Sequence, residues 1–346
     1  MEQEKINIYN RLRQLSKNNG KKPIFISYSK LQKYLYCPLS YRIQYIDKEK
    51  VEFEKNVNGE IGTLSHDIIE KECRGELKFK NNNDRAMYFR DKANNLALEF
   101  GLEKDIPLIQ SLYDFFKMSD YKNKYINAEF EVPVYYKLKY VNNEYDYWVV
   151  GFIDCVLHNE DGTVDILDFK TSNVSGYTGS KLQQALLQIG SYAYIYEFLF
   201  KKRVSKIGYH FLKYADIKFI DYKGKNRKTS KVERRKIMEE FHNKNGVSDL
   251  KILDSYTMFD FNKENRLEYM GKLVDLFKKI DNTNYSDFTS KYRDTVYCER
   301  FCPFRNSEKC QSAQQYDYTD IFKNNMMFEI CKVALKNDNI DVDIVW

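Results

Sequence analysis

Two apolar stretches dominate the middle of the chain: Tyr147-Trp148-Val149-Val150-Gly151-Phe152-Ile153-Asp154-Cys155-Val156-Leu157 and Val164-Asp165-Ile166-Leu167-Asp168-Phe169-Lys170. Both are rich in β-branched and aromatic residues, and Glu160-Asp161-Gly162 between them is hairpin chemistry. A three-residue loop with glycine last suits a type I turn closed by a bulge, in which glycine takes the left-handed position. Asn159 then faces Thr163, and counting back pair by pair puts Asp154 directly opposite Asp168, with Lys170 two residues on and on the same face. Two opposed carboxylates repel, by on the order of 4 kcal/mol at an intermediate effective dielectric. A divalent cation turns that cost into binding, because hard oxygen donors are what Mg²⁺ takes. A two-residue Asp161-Gly162 loop instead puts the aspartates on opposite faces, so the register carries the argument.

A chain of 346 residues can bury a large core. Its net charge is +6, and 56 Lys and Arg accompany 29 Tyr and 23 Phe. Cations mixed with aromatic faces suit a nucleic-acid groove, although coding bias toward Lys, Asn, Tyr and Ile produces a similar composition. Residues 1–23 have no apolar signal-peptide core, and no apolar run is long enough to span a membrane. The expectation is an intracellular chain, cytoplasmic or nucleoid-associated, a phage protein in its host included. Seven cysteines do not make a secreted disulfide framework.

In chain order, Met1–Lys22 predicts a short helix in a basic lead-in. A helix is predicted from Ser29 as N-cap to Tyr36, stopping at Cys37-Pro38. Gly59–Glu72 reads as a helix placing His66 and Glu70 on one face. Residues 83–120 are helical again, and Ala128–Tyr140 is a β region ahead of the hairpin. Gly179–Phe200 is a long helix carrying Gln188 and Tyr192. Val204–Leu212 and Ile217–Tyr222 read as two strands, Lys223–Lys231 as a basic loop, and 232–245 and 263–280 as helices. A cysteine-rich segment, Cys298-x3-Cys302-x7-Cys310, precedes a helical tail.

These pieces together resemble the PD-(D/E)XK nucleases of the RecB-like group, in particular the iron–sulfur branch that includes the AddB-type nuclease domain and the CRISPR adaptation nucleases. The resemblance rests on an ordered set: Ser27-Tyr28-Ser29 leading to Cys37-Pro38, Gly62 with His66, Gly151-Phe152-Ile153-Asp154, Asp168-Phe169-Lys170-Thr171, Gln188 with Tyr192, and Cys298, Cys302 and Cys310. It implies an α/β restriction-endonuclease-like core, a mixed central sheet flanked by helices, over residues 24–315. A helical insertion at about 67–127 and a cluster region, 290–315 plus Cys37, belong to it. Residues 1–23 are the lead-in and 316–346 a tail.

The resemblance further implies that Asp154, Asp168, His66 and the Phe169 carbonyl hold Mg²⁺ or Mn²⁺, with Lys170 acting on the attacking water or the phosphate. Glu129 is a further candidate acid, with Glu131 on the same face as its competitor. Gln188 and Tyr192 would contact DNA or water. Cys37, Cys298, Cys302 and Cys310 would hold a four-iron four-sulfur cluster, although four thiolates suit tetrahedral zinc equally well. The implied function is a DNA exonuclease on single-stranded ends or flaps in recombination, repair or end processing. A structure-specific endonuclease or a catalytically silent DNA-binding scaffold are the alternatives. No Gly-x4-Gly-Lys-Ser/Thr motif is present, so an unwinding motor, a helicase or recombination partner, would be a separate chain.

Overall fold

The structure, a computed structural model, describes residues 2–49, 56–139, 144–172, 174, 177, 179–220, 224–229, 248–290, 297–298, 302–305 and 307–311. The predicted helix at 232–245 and the tail from 316 lie outside these residues.

One seven-stranded mixed sheet organises the chain. After helix α1 (Glu2–Asn18), strand β1 (Lys22–Ile26) leads into α2 (Tyr28–Tyr36), α3 (Pro38–Tyr41) and a π-helical turn (Arg42–Ile46). Helices α4 (Val57–Cys73), α5 (Asn82–Glu99), α6 (Pro107–Met118) and α7 (Tyr121–Lys124) come next. Strands β2 (Ala128–Lys137), β3 (Tyr145–His158) and β4 (Val164–Lys170) precede α8 (Gly179–Phe200). Strands β5 (Val204–Ile220), β6 (Asn226–Thr229), β7 (Ser248–Asp260) and helix α9 (Lys263–Asp281) complete the core.

Strand β3 is the hub. Strand β2 pairs antiparallel with it along one edge, from Ala128–Leu157 to Lys137–Trp148. The other edge is shared: β1 runs parallel to its first half, ending at the pair Ile26–Val149, and β4 runs antiparallel to its last third, ending at Cys155–Leu167. Residues 150–154 of β3 therefore have no ladder partner on that edge. This notch holds Gly151-Phe152-Ile153-Asp154, and the ends of β1 and β4 converge on it from opposite directions.

Two apolar cores sandwich the sheet. One is built from Ile189, Ala193 and Tyr196 of α8, Leu273 and Phe277 of α9, and Val156, Ile166 and Ile207 of the strands. The other joins Ile68 of α4, Phe89 of α5 and Phe115 and Phe116 of α6 to Phe130, Leu167 and Phe169. The second layer is stitched by Arg85, only 2 % exposed. Arg85 donates to the Phe116 and Ser119 carbonyls at 2.7 Å each and pairs with Glu72 of α4 at 3.4 Å. A buried cation satisfied in this way fixes the helices against one another, since removing a partner would leave an uncompensated charge.

Several expectations change. Ser27, not Ser29, caps α2: its backbone is extended (φ −100, ψ 155) and its side chain accepts from the Lys30 N–H. The two strands expected at 204–222 are one long β5. Part of the expected basic loop is β6, whose Lys228 and Arg227 pair with Lys218 and Phe219 of β5. Strands β1 and β7 were not anticipated; β1 is a five-residue segment opening Lys22-Pro23, where proline is tolerated at a strand start.

Candidate active site

The hairpin has the three-residue loop. The Asn159 N–H donates to the Thr163 carbonyl at 2.9 Å and the Gly162 N–H to the Asn159 carbonyl at 3.1 Å, with Gly162 at φ 83. Ladder pairs Cys155–Leu167, Val156–Ile166 and Leu157–Asp165 set the register, so the next rung places Asp154 against Asp168. There the backbone ladder stops. The Phe169 N–H donates instead to the Asp154 carboxylate, Oδ2, at 2.9 Å.

Three groups surround this rung. Lys170 Nζ lies 2.5 Å from Asp168 Oδ2. We read the contact as an ion pair, because among the described residues no donor is well aligned with that buried oxygen. His66, carried by α4, places Nδ1 3.4 Å from Asp154 Oδ2 and meets the Phe169 ring edge-on at 5.5 Å. A Cβ added to Gly62, one helical turn earlier, would lie 3.2 Å from Thr171 Oγ1, so α4 runs close to the end of β4. His66, Asp154, Asp168, Lys170 and the Phe169 backbone, dispersed over a hundred residues, thus meet at the notch.

The electrostatics follow from burial. Asp154, 18 % exposed at its side chain, is held well above the ordinary carboxylate range, first by burial and next by repulsion from Asp168. Burial also lowers His66, which favours the neutral imidazole that can serve as a ligand. For Lys170 burial is the largest influence and disfavours the cation, but the charge and hydrogen bonding of Asp168, with Tyr177 and Asp154, together outweigh it and hold the ammonium above its usual range. Before any cation binds, Lys170 is a hydrogen-bond donor and not a base.

Gly151 has a physical reason. A Cβ there would lie 2.2 Å from Cζ of Tyr192, so only glycine lets the tyrosine ring lie under the strand. Tyr192, 7 % exposed, has its phenol pushed up to about 12, mainly by burial, while hydrogen bonds with the Tyr28 backbone and the Gln188 side chain oppose the shift. The Tyr28 hydroxyl in turn donates to the Gln184 carbonyl at 2.5 Å. Tyr192 and the Gln184 carbonyl therefore tie α8 to the start of α2 beneath the notch.

The structure separates the two candidate third acids. Glu129 is 54 % exposed at its side chain and pairs with His158 at 2.5 Å, on the side where its charge reaches Tyr196 of α8. Glu131 occupies the β2 position opposite Asp154, between the pairs Phe130–Cys155 and Val132–Ile153. Its charge acts on both Asp154 and His66. Its backbone is left-handed, φ 51, which breaks the strand's alternation: Phe130 enters the α4–α6 core and Val132 the α8 core. Alternation alone puts both glutamates on one face; the turn at Glu131 separates them.

At the far end of α2, Cys37 and Cys302 share a small apolar cluster with Leu39, Ile43 and Phe304, and Cys302 Sγ lies 3.7 Å from Ser40 Oγ. Tyr36 stacks on Tyr297 with ring centroids 4.8 Å apart. Burial pushes the Cys37 thiol up to about 12, with smaller contributions from Cys302, Cys298 and Cys310, so all four sulfurs lie within electrostatic reach. Among the described residues no three His, Cys, Asp or Glu side chains are drawn together tightly enough to enclose a metal ion. The donor sets nonetheless fit the two groups: hard carboxylate oxygens with a buried, poorly satisfied Asp168 Oδ2 at the notch, and soft thiols in apolar surroundings here.

The description of the PD-(D/E)XK nuclease superfamily matches residues 26–307, and the chain belongs to that superfamily. Its members are in general phosphodiesterases that work with Mg²⁺ or Mn²⁺. Among solved structures, the crystal structure of SSO0001 is similar at 14 % identity over 81 % of this chain and 83 % of that one, with a TM-score of 0.34. No curated protein matches the chain. Among the described residues no helix is long and apolar enough to cross a membrane.

Proposed function

We propose that the chain is a Mg²⁺- or Mn²⁺-dependent DNA exonuclease of the RecB-like group, acting on single-stranded ends or flaps in recombination, repair or end processing. The single observation that carries the reading is the rung: Asp154 against Asp168, with Lys170 on Asp168 and His66 on Asp154. Asp154, Asp168, His66 and the Phe169 carbonyl would hold the cation, which supplies Lewis-acid activation and a template for in-line attack. Lys170, kept protonated beside Asp168, donates to the phosphate oxygen on which charge develops. Gly151 and Tyr192 hold the strand that carries Asp154, and Tyr192 with the Gln184 carbonyl keeps α8 fixed behind it.

Cys37, Cys298, Cys302 and Cys310 are read as ligands of a four-iron four-sulfur cluster, with zinc as the alternative. Such a group would clip the segment after β1 to the end of the core, which is chemistry that buried thiols support. A separate helicase or recombination protein would supply strand opening.

The test is cleavage of end-labelled linear single strands against closed single-stranded circles with added Mn²⁺. Degradation of the linear strand with circles spared supports the exonuclease. Nicking of circles moves the assignment to an endonuclease. DNA binding without cleavage of either favours the silent scaffold.

A further inference from the structure

Helix α1 lies outside the matched span, which begins at residue 26, yet it reaches the acidic rung. Leu12, Ile8 and Tyr9 pack on Trp148, Val150 and Phe152 of β3, and the Trp148 indole N–H donates to Ser16 Oγ at 2.9 Å. Toward the start of the same helix, Lys5 Nζ is 2.8 Å from Glu131 Oε2 and 4.5 Å from the centre of the Phe152 ring. Phe152 is two residues before Asp154, and Glu131 stands across from Asp154, between the ladder pairs Phe130–Cys155 and Val132–Ile153. Glu131 holds a left-handed backbone, φ 51, a conformation costing on the order of 1–3 kcal/mol for a non-glycine residue that persists only where the surroundings enforce it.

We infer that Lys5 is a positioning residue of the nuclease centre, holding the Glu131 carboxylate beside Asp154 and setting how tightly the centre takes a divalent cation. The inference rests on the metal-dependent nuclease reading. Glu131, Asp154 and Asp168 carry three negative charges, and Lys5 and Lys170 return two. One divalent cation then leaves a single positive charge, which one phosphodiester neutralises. Without Lys5 the centre would be neutral with a divalent cation bound, and would hold that cation more tightly while attracting the phosphate less. The Phe152 ring under the ammonium fixes the lysine in place by a cation–π contact, which a flexible surface pair lacks.

The experiment measures Mn²⁺ binding by the intact chain without DNA, from the electron paramagnetic resonance signal of free Mn²⁺. A unit charge held by one of the acids around a divalent ion changes its affinity by roughly tenfold even at the dielectric of water. Lys5→Met, which keeps the packing on Phe152, is expected to bind Mn²⁺ about tenfold more tightly, and Lys5→Gln likewise, while Lys5→Arg matches the wild type. A Lys5→Met protein that melts earlier but binds Mn²⁺ as the wild type does makes the contact purely structural and overturns the inference. Wild-type protein that binds no Mn²⁺ overturns the metal-dependent reading itself, a result distinguishable because no variant is then needed to see it.

Discussion

Asp154 offers a quantitative test of the site, because burial and the facing Asp168 oppose its ionisation in the metal-free protein. Its neighbour across the rung, Asp168, is already paired with Lys170 at 2.5 Å, so the Lys170 charge offsets only part of the burial and repulsion that act on Asp154. Opposed carboxylates about 4.5 Å apart repel by about 3–4 kcal/mol at an effective dielectric near 20. Against this, the Phe169 N–H bond of 2.9 Å loses its charge assistance in an amide, about 1 kcal/mol, and attraction from Lys170 is also lost. At a pH where Asp154 is ionised, Asp154→Asn is therefore expected to stabilise the metal-free protein by about 1–2 kcal/mol, a rise of roughly 2–5 °C in melting temperature.

The pH dependence has the same origin. The folded-state pKa of Asp154 is raised, so the native state binds the proton more tightly than the unfolded chain does. Stability is full below the unfolded carboxylate range and is lost as pH rises toward the raised folded value. Asn at this position should remove that slope. Urea unfolding in EDTA across pH 4–8 reads both effects. In saturating Mn²⁺ the order reverses: a cation at 100 times its dissociation constant adds about 2.7 kcal/mol to the wild type and little to the variant. If Asp154→Asn destabilises the metal-free protein by 1 kcal/mol or more, the carboxylate is a structural partner of His66 and Phe169, and the reasoning fails.

The remaining expectations are narrower. Gly151→Ala, which drives a methyl to 2.2 Å from Tyr192, should cost about 3 kcal/mol in urea unfolding, and Tyr192→Leu in the same chain should recover part of it, a non-additivity expected of residues in contact. Glu131→Gln should shift the Mn²⁺ concentration for half-maximal cleavage, whereas Glu129→Gln should leave it unchanged; equal effects would reinstate Glu129. Anaerobically purified protein should absorb in the visible, and Cys37→Ala should abolish the band. A colourless, zinc-free wild-type preparation removes the cluster.

What the residues revealed in advance follows physical locality. The β3–β4 register needed only the loop length and one glycine, and α8 begins and ends where its pattern does, at Gly179 and Phe200. The sheet's edges were less legible. Strand β7 carries Asp249, Asp254 and Asp260 among its apolar residues and is a strand because β5 pairs with it over most of its length. Ser27 and Ser29 are equivalent caps by residue type, and the extended backbone at Ser27 decides between them. Glu131 was weighed behind Glu129 because strand alternation cannot anticipate a left-handed residue within a strand. The notch itself is a product of topology: it exists because β1 and β4 take the same edge of β3 and stop short of each other.

The most direct measurement of the central claim is single-turnover cleavage of end-labelled single-stranded DNA over a Mn²⁺ titration, for the wild type, Asp168→Asn and Lys170→Met. The account predicts metal-dependent cleavage by the wild type, cleavage lowered at least 100-fold by either substitution, and Mn²⁺ affinity lost in Asp168→Asn but retained or tightened in Lys170→Met. Wild-type cleavage that persists in EDTA, or that either substitution leaves intact, contradicts a catalytic centre at the Asp154–Asp168 rung.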